Sequence, residues 1–99
     1  MKECRVQFTA TADQHLARER TWWFENRDYC DVFATEIESA VALLRVLPGI
    51  GTPYSYATGS EVRRLYLRKL ACHLYYTFDD DTVIVRALWS ARRERGPDV

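Results

Sequence analysis

Apolar and polar residues alternate through most of the segment between residues 62 and 89, and this pattern predicts three consecutive β-strands. Each strand is rich in β-branched and aromatic residues, and the three cover residues 62–67, 71–78 and 82–89. The aspartates at positions 79–81 form a polar break of hairpin length between the last two strands. Residues 68–70 are predicted to form a shorter turn, so consecutive strands are expected to pair antiparallel.

Because successive side chains of a strand point to opposite faces, the alternation assigns each residue to one side of the sheet. One face is apolar and must be buried; it comprises Leu65, Leu67, Cys72, Leu74, Tyr76, Phe78, Val83, Val85, Ala87 and Trp89. The other comprises Arg64, Tyr66, Arg68, His73, Tyr75, Thr77, Ile84, Arg86 and Leu88, with Arg92, Arg93 and Arg95 beyond its end. A cationic, aromatic sheet face is a candidate surface for nucleic acid or an acidic protein, although it is also compatible with a plain solvated face.

Upstream of these strands the hydrophobic spacing becomes helical. Residues 4–8 alternate briefly and predict a first short strand, after which Thr9 or Thr11 is expected to cap a helix. That helix places Ala12, Leu16 and Trp23 on one face. Its two tryptophans, Trp22 and Trp23, are interpreted as core or helix–helix contacts, with base stacking as the alternative.

A second helix is predicted over residues 28–47. Its apolar stripe follows the i, i+4, i+7, i+11 and i+14 positions and comprises Phe33, Ile37, Ala40, Leu44 and Leu47. Pro48 and Gly49 end the helix. Residues 48–60, the only stretch rich in Gly, Pro and Ser, are interpreted as a connection back to the sheet.

The resulting order, β-α-α-β-β-β, predicts one α+β domain over residues 1–99. In this two-layer sandwich a helical hairpin packs on a mainly antiparallel sheet. The length fits a single domain. The longest apolar run, residues 40–44, is far too short to cross a bilayer, and the first residues do not form a signal peptide. We therefore expect a cytoplasmic protein without a membrane partner.

The charges are balanced in number but not in position. The chain has 14 Lys and Arg against 14 Asp and Glu, yet the strand region and its tail are basic whereas the helical segment is richer in acids. This asymmetry indicates one basic working surface. The three cysteines are far apart, without a CxxC pair, and the two histidines lack a neighbour at ligand spacing. No metal site, cofactor or disulfide framework is therefore expected, and the cysteines are interpreted as reduced core thiols.

The ordered set of motifs resembles the RelE/ParE family of bacterial toxins from toxin–antitoxin modules. The resemblance is carried by Ala12-Asp13, Leu44…Leu47-Pro48…Gly51, Val62-Arg63-Arg64-Leu65, His73-Leu74-Tyr75-Tyr76, and residues 83–89 followed by Ala91-Arg92-Arg93. It covers nearly the whole chain. It implies the fold argued above, a growth-inhibiting activity, and a cognate antitoxin that neutralises the toxin in a hetero-oligomer.

Two branches of this family imply different targets. The RelE-like branch cuts mRNA on the ribosome, and its catalytic positions correspond here to Arg64, Tyr66, His73 and Arg93. Arginines there would bind phosphates, while His73 or Tyr66 would move protons to or from the attacking 2′-hydroxyl and the leaving oxygen. The ParE-like branch binds DNA gyrase without chemistry of its own. Its target-binding residues would be Arg64, Arg68, Tyr75, Arg86, Arg92, Arg93 and Arg95.

The end of the chain favours the second branch. Only Gly96-Pro97-Asp98-Val99 follow Arg95, without the terminal His or Tyr of many RelE-like members, and Ser90 stands where many relatives carry a histidine. The neutral charge balance is also unusual for docking on ribosomal RNA. We therefore expect a ParE-like inhibitor of DNA gyrase. Ribosome-dependent mRNA cleavage is the alternative, and a degenerate, non-toxic member is the third possibility.

Overall fold

A computed structural model describes residues 3–27, 30–57, 59–93 and 95–97 and shows two helices packed on a five-stranded sheet. The elements are β1 (Arg5–Phe8), α1 (Ala10–Arg27), α2 (Cys30–Val46), β2 (Thr52–Ala57), β3 (Ser60–Leu67), β4 (Cys72–Phe78) and β5 (Thr82–Ser90). The strand order is β1-β5-β4-β3-β2, with β1 parallel to β5 and the other neighbours antiparallel. The predicted two-layer α+β class is confirmed. No helix of the described ranges is long and apolar enough to span a membrane.

One strand of this sheet was not predicted. Residues 48–60 were interpreted as a connection, but Thr52–Ala57 forms β2 and pairs antiparallel with β3. The composition of this segment did not indicate a strand, because it contains Pro53 and proline is unfavourable in a central strand. β2 lies at the edge of the sheet, where a proline is tolerated, and its register shifts between Pro53 and Ser55. The observed order is therefore β-α-α-β-β-β-β.

The helix ends also differ from the prediction in detail. Of the two predicted caps, Thr9 is the one that caps α1, since the Ala12 N–H donates to Thr9 Oγ1 at 3.1 Å. The helix continues to Arg27, the residue directly before the predicted start of the second helix. Residues 28 and 29, predicted to begin the second helix, lie outside the described residues. Leu47, the last residue of the predicted stripe, follows the end of α2 and is 51% exposed.

The helices and the sheet enclose the main core. From the helices, Ala12, Phe33, Ala40 and Leu44 are buried, with Leu16, Trp23 and Ile37 packed against them. The sheet contributes Leu67, Cys72, Leu74, Tyr76, Val83, Val85 and Leu88. Cys4 and Cys72 are free and buried, as predicted for core thiols. The side chain of Cys30 is outside the description. The predicted strand faces thus lie where the alternation placed them, with one exception in β5, although Phe78, predicted to be buried, is 39% exposed.

The exception is a β-bulge in β5. Tyr75 lies opposite Ala87 and Tyr76 opposite Val85, so Arg86 is an extra residue in this strand. One extra residue reverses the alternation beyond it. Leu88 therefore lies in the main core, whereas Ala87 and Trp89 lie on the open face, the sheet face away from the helices. The prediction that Ala87 and Trp89 face the helices, with Leu88 opposite, was wrong.

Tyr76 connects the core to the loop before β2. Its side chain is fully buried, and its hydroxyl accepts a hydrogen bond from the Gly51 N–H at 2.9 Å. A Cβ atom on Gly51 would lie 2.7 Å from the Arg64 carbonyl oxygen and 2.7 Å from the Tyr76 hydroxyl. Both separations are too short for a carbon atom, so the close approach of this loop to the sheet requires glycine.

We expect Gly51→Ala to destabilise the fold by about 1–3 kcal/mol, because the added methyl group must displace the Arg64 backbone or the Tyr76 ring. Urea unfolding followed by circular dichroism measures the change. Gly49→Ala is the matched control, since a Cβ there would meet only the Phe78 ring at 3.7 Å. Equal unfolding midpoints for the two variants would contradict the packing argument.

Candidate functional site

The open face of the sheet has a small apolar cluster of its own. Val62, Tyr75 and Ala87 are buried there, with Tyr54 and Trp89 packed against them. The tail, residues 91–93 and 95–97, returns over this cluster. The Trp89 indole Nε1–H donates to the Arg95 carbonyl at 2.7 Å. The Tyr54 hydroxyl donates to the carbonyl of the buried Pro97 at 3.4 Å. The tail therefore crosses the face from β5 to β2.

Next to the tail, three residues form a second group on the same face, the sheet cluster: Arg64, Tyr66 and His73. The register between β3 and β4 places Tyr66 opposite His73, with ring centroids 5.0 Å apart. Tyr66 is 51% exposed. The Arg64 guanidinium carbon lies 5.4 Å from the Tyr54 ring centroid. The sheet thus brings together three of the residues predicted as catalytic.

The electrostatics of the sheet cluster favour a neutral imidazole. Partial burial, followed by the positive charge of Arg64, lowers the pKa of His73 below its usual value. At pH 7 the ring is therefore uncharged and able to accept a proton. The fourth predicted catalytic residue, Arg93, belongs to the tail, where it contacts the ring of Trp89, the residue opposite His73 on β5.

Trp89 is the residue that positions the tail arginine. The Arg93 guanidinium carbon lies 4.1 Å from the Trp89 ring centroid, a close cation–π contact. From α1, Arg18 approaches the same ring at 5.6 Å, and the His15 ring meets it edge-on at 5.4 Å. The start of the tail is also fixed, because the Ala91 N–H donates to the Ala71 carbonyl at 2.8 Å. Arg93 is therefore held at the junction of α1, β5 and the tail.

The other predicted binding residues are distributed over the molecule. Arg92 and Arg95 are exposed on the tail, and Arg68 is exposed in the turn after β3. Arg86 lies in the bulge, where its Nε–H donates to Thr77 Oγ1 at 3.2 Å. Thr77 is four residues beyond His73 along β4, or about 13 Å, so Arg86 is remote from the sheet cluster.

Tyr75 requires a correction. It lies on the open face, as the alternation predicted, but it is only 2% exposed. Its ring packs edge-on against Tyr54, with centroids 4.7 Å apart, beneath the tail. In this structure Tyr75 supports the face from below and does not form part of its surface.

Helix α1 also contributes side chains to this site, which the sequence pattern did not predict. His15, Arg18 and Trp22 are three and four residues apart, a spacing that places them along one side of a helix. The signal in the sequence is this helical spacing of polar and aromatic residues, which is separate from the apolar stripe of the helix. The proximity of His15 and Arg18 to Trp89 had no sequence signal, because the alternation assigned Trp89 to the opposite face.

His15 has a structural partner on β5. Its Nδ1 accepts a hydrogen bond from the Leu88 N–H at 3.3 Å, so the neutral ring carries its proton on Nε2. Burial first, and then the charges of Arg18 and Arg93, lower the pKa of His15. Protonation of Nδ1 would remove the only acceptor lone pair that this nitrogen offers to Leu88 and would add a cation beside two arginines.

Comparison with known proteins identifies the fold. No family model and no curated protein matches the sequence. A chain of the chromosomal ParDE TA system from P. aeruginosa is 14% identical with a TM-score of 0.70, covering 89% of this chain and 96% of its own. A chain of the YoeB dimer from Staphylococcus aureus is 20% identical with a TM-score of 0.52, covering 88% and 95%. The RelE/ParE-like fold expected from the resemblance is thereby confirmed.

We expect Trp89→Phe to loosen the tail, because phenylalanine retains a ring under Arg93 but lacks the N–H that binds the Arg95 carbonyl. The lost hydrogen bond should lower the free energy of unfolding by about 1 kcal/mol. Trypsin should also cut faster after the tail arginines, as mass spectrometry of timed digests would show. Trp89→Ala, which also removes the ring, should accelerate cleavage further. Unchanged cleavage in both variants would contradict the role assigned to Trp89.

We expect the free energy of unfolding to fall as the pH drops from about 7.5 to 5.5. The pKa values of His15 and His73 are both lower in the folded chain than the ordinary 6.5, so the unfolded chain binds more protons in this window. Stability is therefore complete above the unfolded pKa and is lost as the pH falls below it. Urea titrations of the parent and of a His15→Gln/His73→Gln double variant would test this. The double variant should show a flatter dependence, and an identical slope would contradict the assignment.

Proposed function

We propose that this chain is the toxin of a type II toxin–antitoxin module, that it inhibits growth by binding DNA gyrase in the cytoplasm, and that a cognate antitoxin neutralises it. The observation that carries the proposal is the packed basic tail. Arg92 and Arg93 are exposed, and their guanidinium carbons lie 5.3 Å from the Trp22 centroid and 4.1 Å from the Trp89 centroid. Arginines held in this way form a preorganised surface for binding an acidic partner.

The path of the tail favours binding over strand cleavage. Residues 95–97 contact Trp89 on β5 and Tyr54 on β2, and they cross the open face between these two strands. Tyr54 is also the ring beside Arg64. An RNA strand that joined Arg93 to Arg64 would have to displace this part of the tail. As folded, the face presents a surface rather than an open cleft.

The fold is similar to chains of both a ParDE TA system and YoeB, which supports a toxin, whereas the choice of gyrase as the target depends on the tail. An antitoxin partner is consistent with a second feature, a groove of about 440 Å³ between the helices and β1. Its floor includes Phe8, Leu16, Phe33 and Ile37, an apolar surface of the kind that an amphipathic partner helix covers.

We expect the purified chain to inhibit negative supercoiling of plasmid DNA by gyrase. An Arg92→Ala/Arg93→Ala variant should require at least about tenfold more protein for the same inhibition, because interface arginines commonly contribute more than about 1 kcal/mol each. Arg45→Ala is the matched control, since Arg45 is exposed in the last turn of α2 and should be neutral. Inhibition that is absent at large excess of the chain would overturn the proposal.

A second function has its own supporting observation. Arg64, Tyr66 and His73 lie side by side on neighbouring strands, and the lowered pKa of His73 leaves its imidazole neutral and able to accept a proton. They are three of the four residues that the resemblance to the RelE-like branch implies for ribosome-dependent mRNA cleavage, the fourth being Arg93 in the tail. Induction in a bacterium separates the candidates: filamentation with continuing translation indicates gyrase, whereas an abrupt stop in translation that His73→Ala abolishes indicates mRNA. Undisturbed growth would indicate a non-toxic protein that retains only antitoxin binding.

A further inference from the structure

A separate groove lies where the tail meets α1. It has a volume of about 340 Å³ and is lined by Glu19, Trp22, Ser90, Arg92 and Arg93. This size falls in the range of about 300–1,000 Å³ that is typical of small-ligand sites. Within the described part of the chain, none of the sheet cluster residues lines it. Three elements converge on it, so its side chains have been placed together by the fold and not by local sequence.

Two guanidinium groups occupy one side of this groove. Arg92 lies over Trp22 and Arg93 over Trp89. Within the described part of the chain, the one ion pair joins Arg63 to Glu61. Neither Arg92 nor Arg93 lies within ion-pair distance of Glu19. A cation–π contact positions a guanidinium without neutralising it, so both arginines retain their charge for an anion such as phosphate.

A carboxylate occupies the other side. The Cys72 thiol lies 3.2 Å from Glu19 Oε1 and 3.3 Å from the Leu70 carbonyl oxygen, so its single proton is shared between two acceptors and holds the carboxylate only weakly. Burial raises the pKa of Cys72 to about 12, so the thiol remains a donor at any physiological pH. A carboxylate has about four acceptor positions, and one weak thiol donor leaves most of them available. A simple anion would be repelled by Glu19, whereas a ligand with an anionic end and a donor end satisfies both sides.

We propose that this groove binds a guanine nucleotide, with the base edge on Glu19, the base stacked on the guanidinium of Arg92 and the phosphate paired with Arg93. Guanine presents two adjacent donors, N1–H and the 2-amino group, which match the two oxygens of a carboxylate. Adenine and cytosine place a ring nitrogen acceptor beside their amino group, and a carboxylate repels it. Arginine planes are known stacking partners for bases, and here Trp22 supports the plane from the other side.

The same chemistry occurs in a free guanine nucleotide and in a guanosine of a single strand. Isothermal titration calorimetry of the purified chain with GMP, AMP and inorganic phosphate tests the groove itself. GMP should bind at least about tenfold more tightly than AMP or phosphate. A trinucleotide containing guanosine distinguishes the sources: tighter binding than GMP assigns the groove to a strand, and equal or weaker binding assigns it to the free nucleotide.

Matched variants make the assignment specific. Glu19→Gln should reduce the preference for GMP over AMP by about tenfold, since an amide offers one acceptor and one donor in place of two acceptors. Arg92→Lys keeps the charge but loses the stacking plane, so it should weaken GMP more than phosphate. Glu25→Gln, exposed on the same helix, is the control and should bind as the parent does. Circular dichroism confirms that each variant is folded.

The proposal is overturned if GMP gives no saturable binding at about 1 mM, if phosphate binds as tightly as GMP, or if Glu19→Gln retains the full preference. These measurements use no gyrase and no growth assay. Failure of the nucleotide site and failure of the proposed toxin function are therefore observed independently.

Discussion

The bulge at Arg86 is the constraint on which the open face of this protein depends. Before it, β5 places alternate valines in the core; after it, the alternation is reversed, and Leu88 enters the core while Trp89 faces the other way. Without the extra residue, the indole would lie under the helices and a leucine would occupy the open face. The tail would then have neither its hydrogen-bond donor nor the ring that holds Arg93. The arrangement of the basic surface therefore follows from one irregularity in the ladder.

The same part of β5 explains the role of α1. β1 pairs with β5 only as far as Val85, so the edge beyond the bulge needs other partners for its backbone groups. Side chains near the start of α1 provide them: Thr9 Oγ1 donates to the Arg86 carbonyl at 3.5 Å, and His15 Nδ1 accepts from the Leu88 N–H. Packing α1 along this edge brings Arg18 and Trp22 towards the tail. A requirement for backbone hydrogen bonds thus positions side chains of the candidate site.

A neutral protein can still present a strongly basic surface, and the contacts of its arginines show how. Four of the arginines that surround the tail and the open face lie over aromatic rings, namely Arg18, Arg64, Arg92 and Arg93. Aromatic contacts fix these side chains while leaving their charge available to a partner. The chain has equal numbers of acidic and basic residues, but the local charge of a surface depends on which basic residues lie without a carboxylate beside them. This distribution supports a binding surface that is already formed before the partner arrives.

The sequence by itself determined the two helices, the last three strands, the class of fold and most core residues, because those depend on local periodicity and on burying one apolar face. It also grouped Arg64, Tyr66 and His73, since neighbouring strands with a simple register place them side by side. Tertiary structure alone decided three things: that Thr52–Ala57 becomes an edge strand, that Trp89 faces the open side while Tyr75 is covered, and that α1 completes the tail site. Each depends on contacts between distant segments. Strand β2 forms because it pairs with β3, and the bulge at Arg86 is defined by the pairing of β5 with β4. Tyr75 is buried because the tail lies above it.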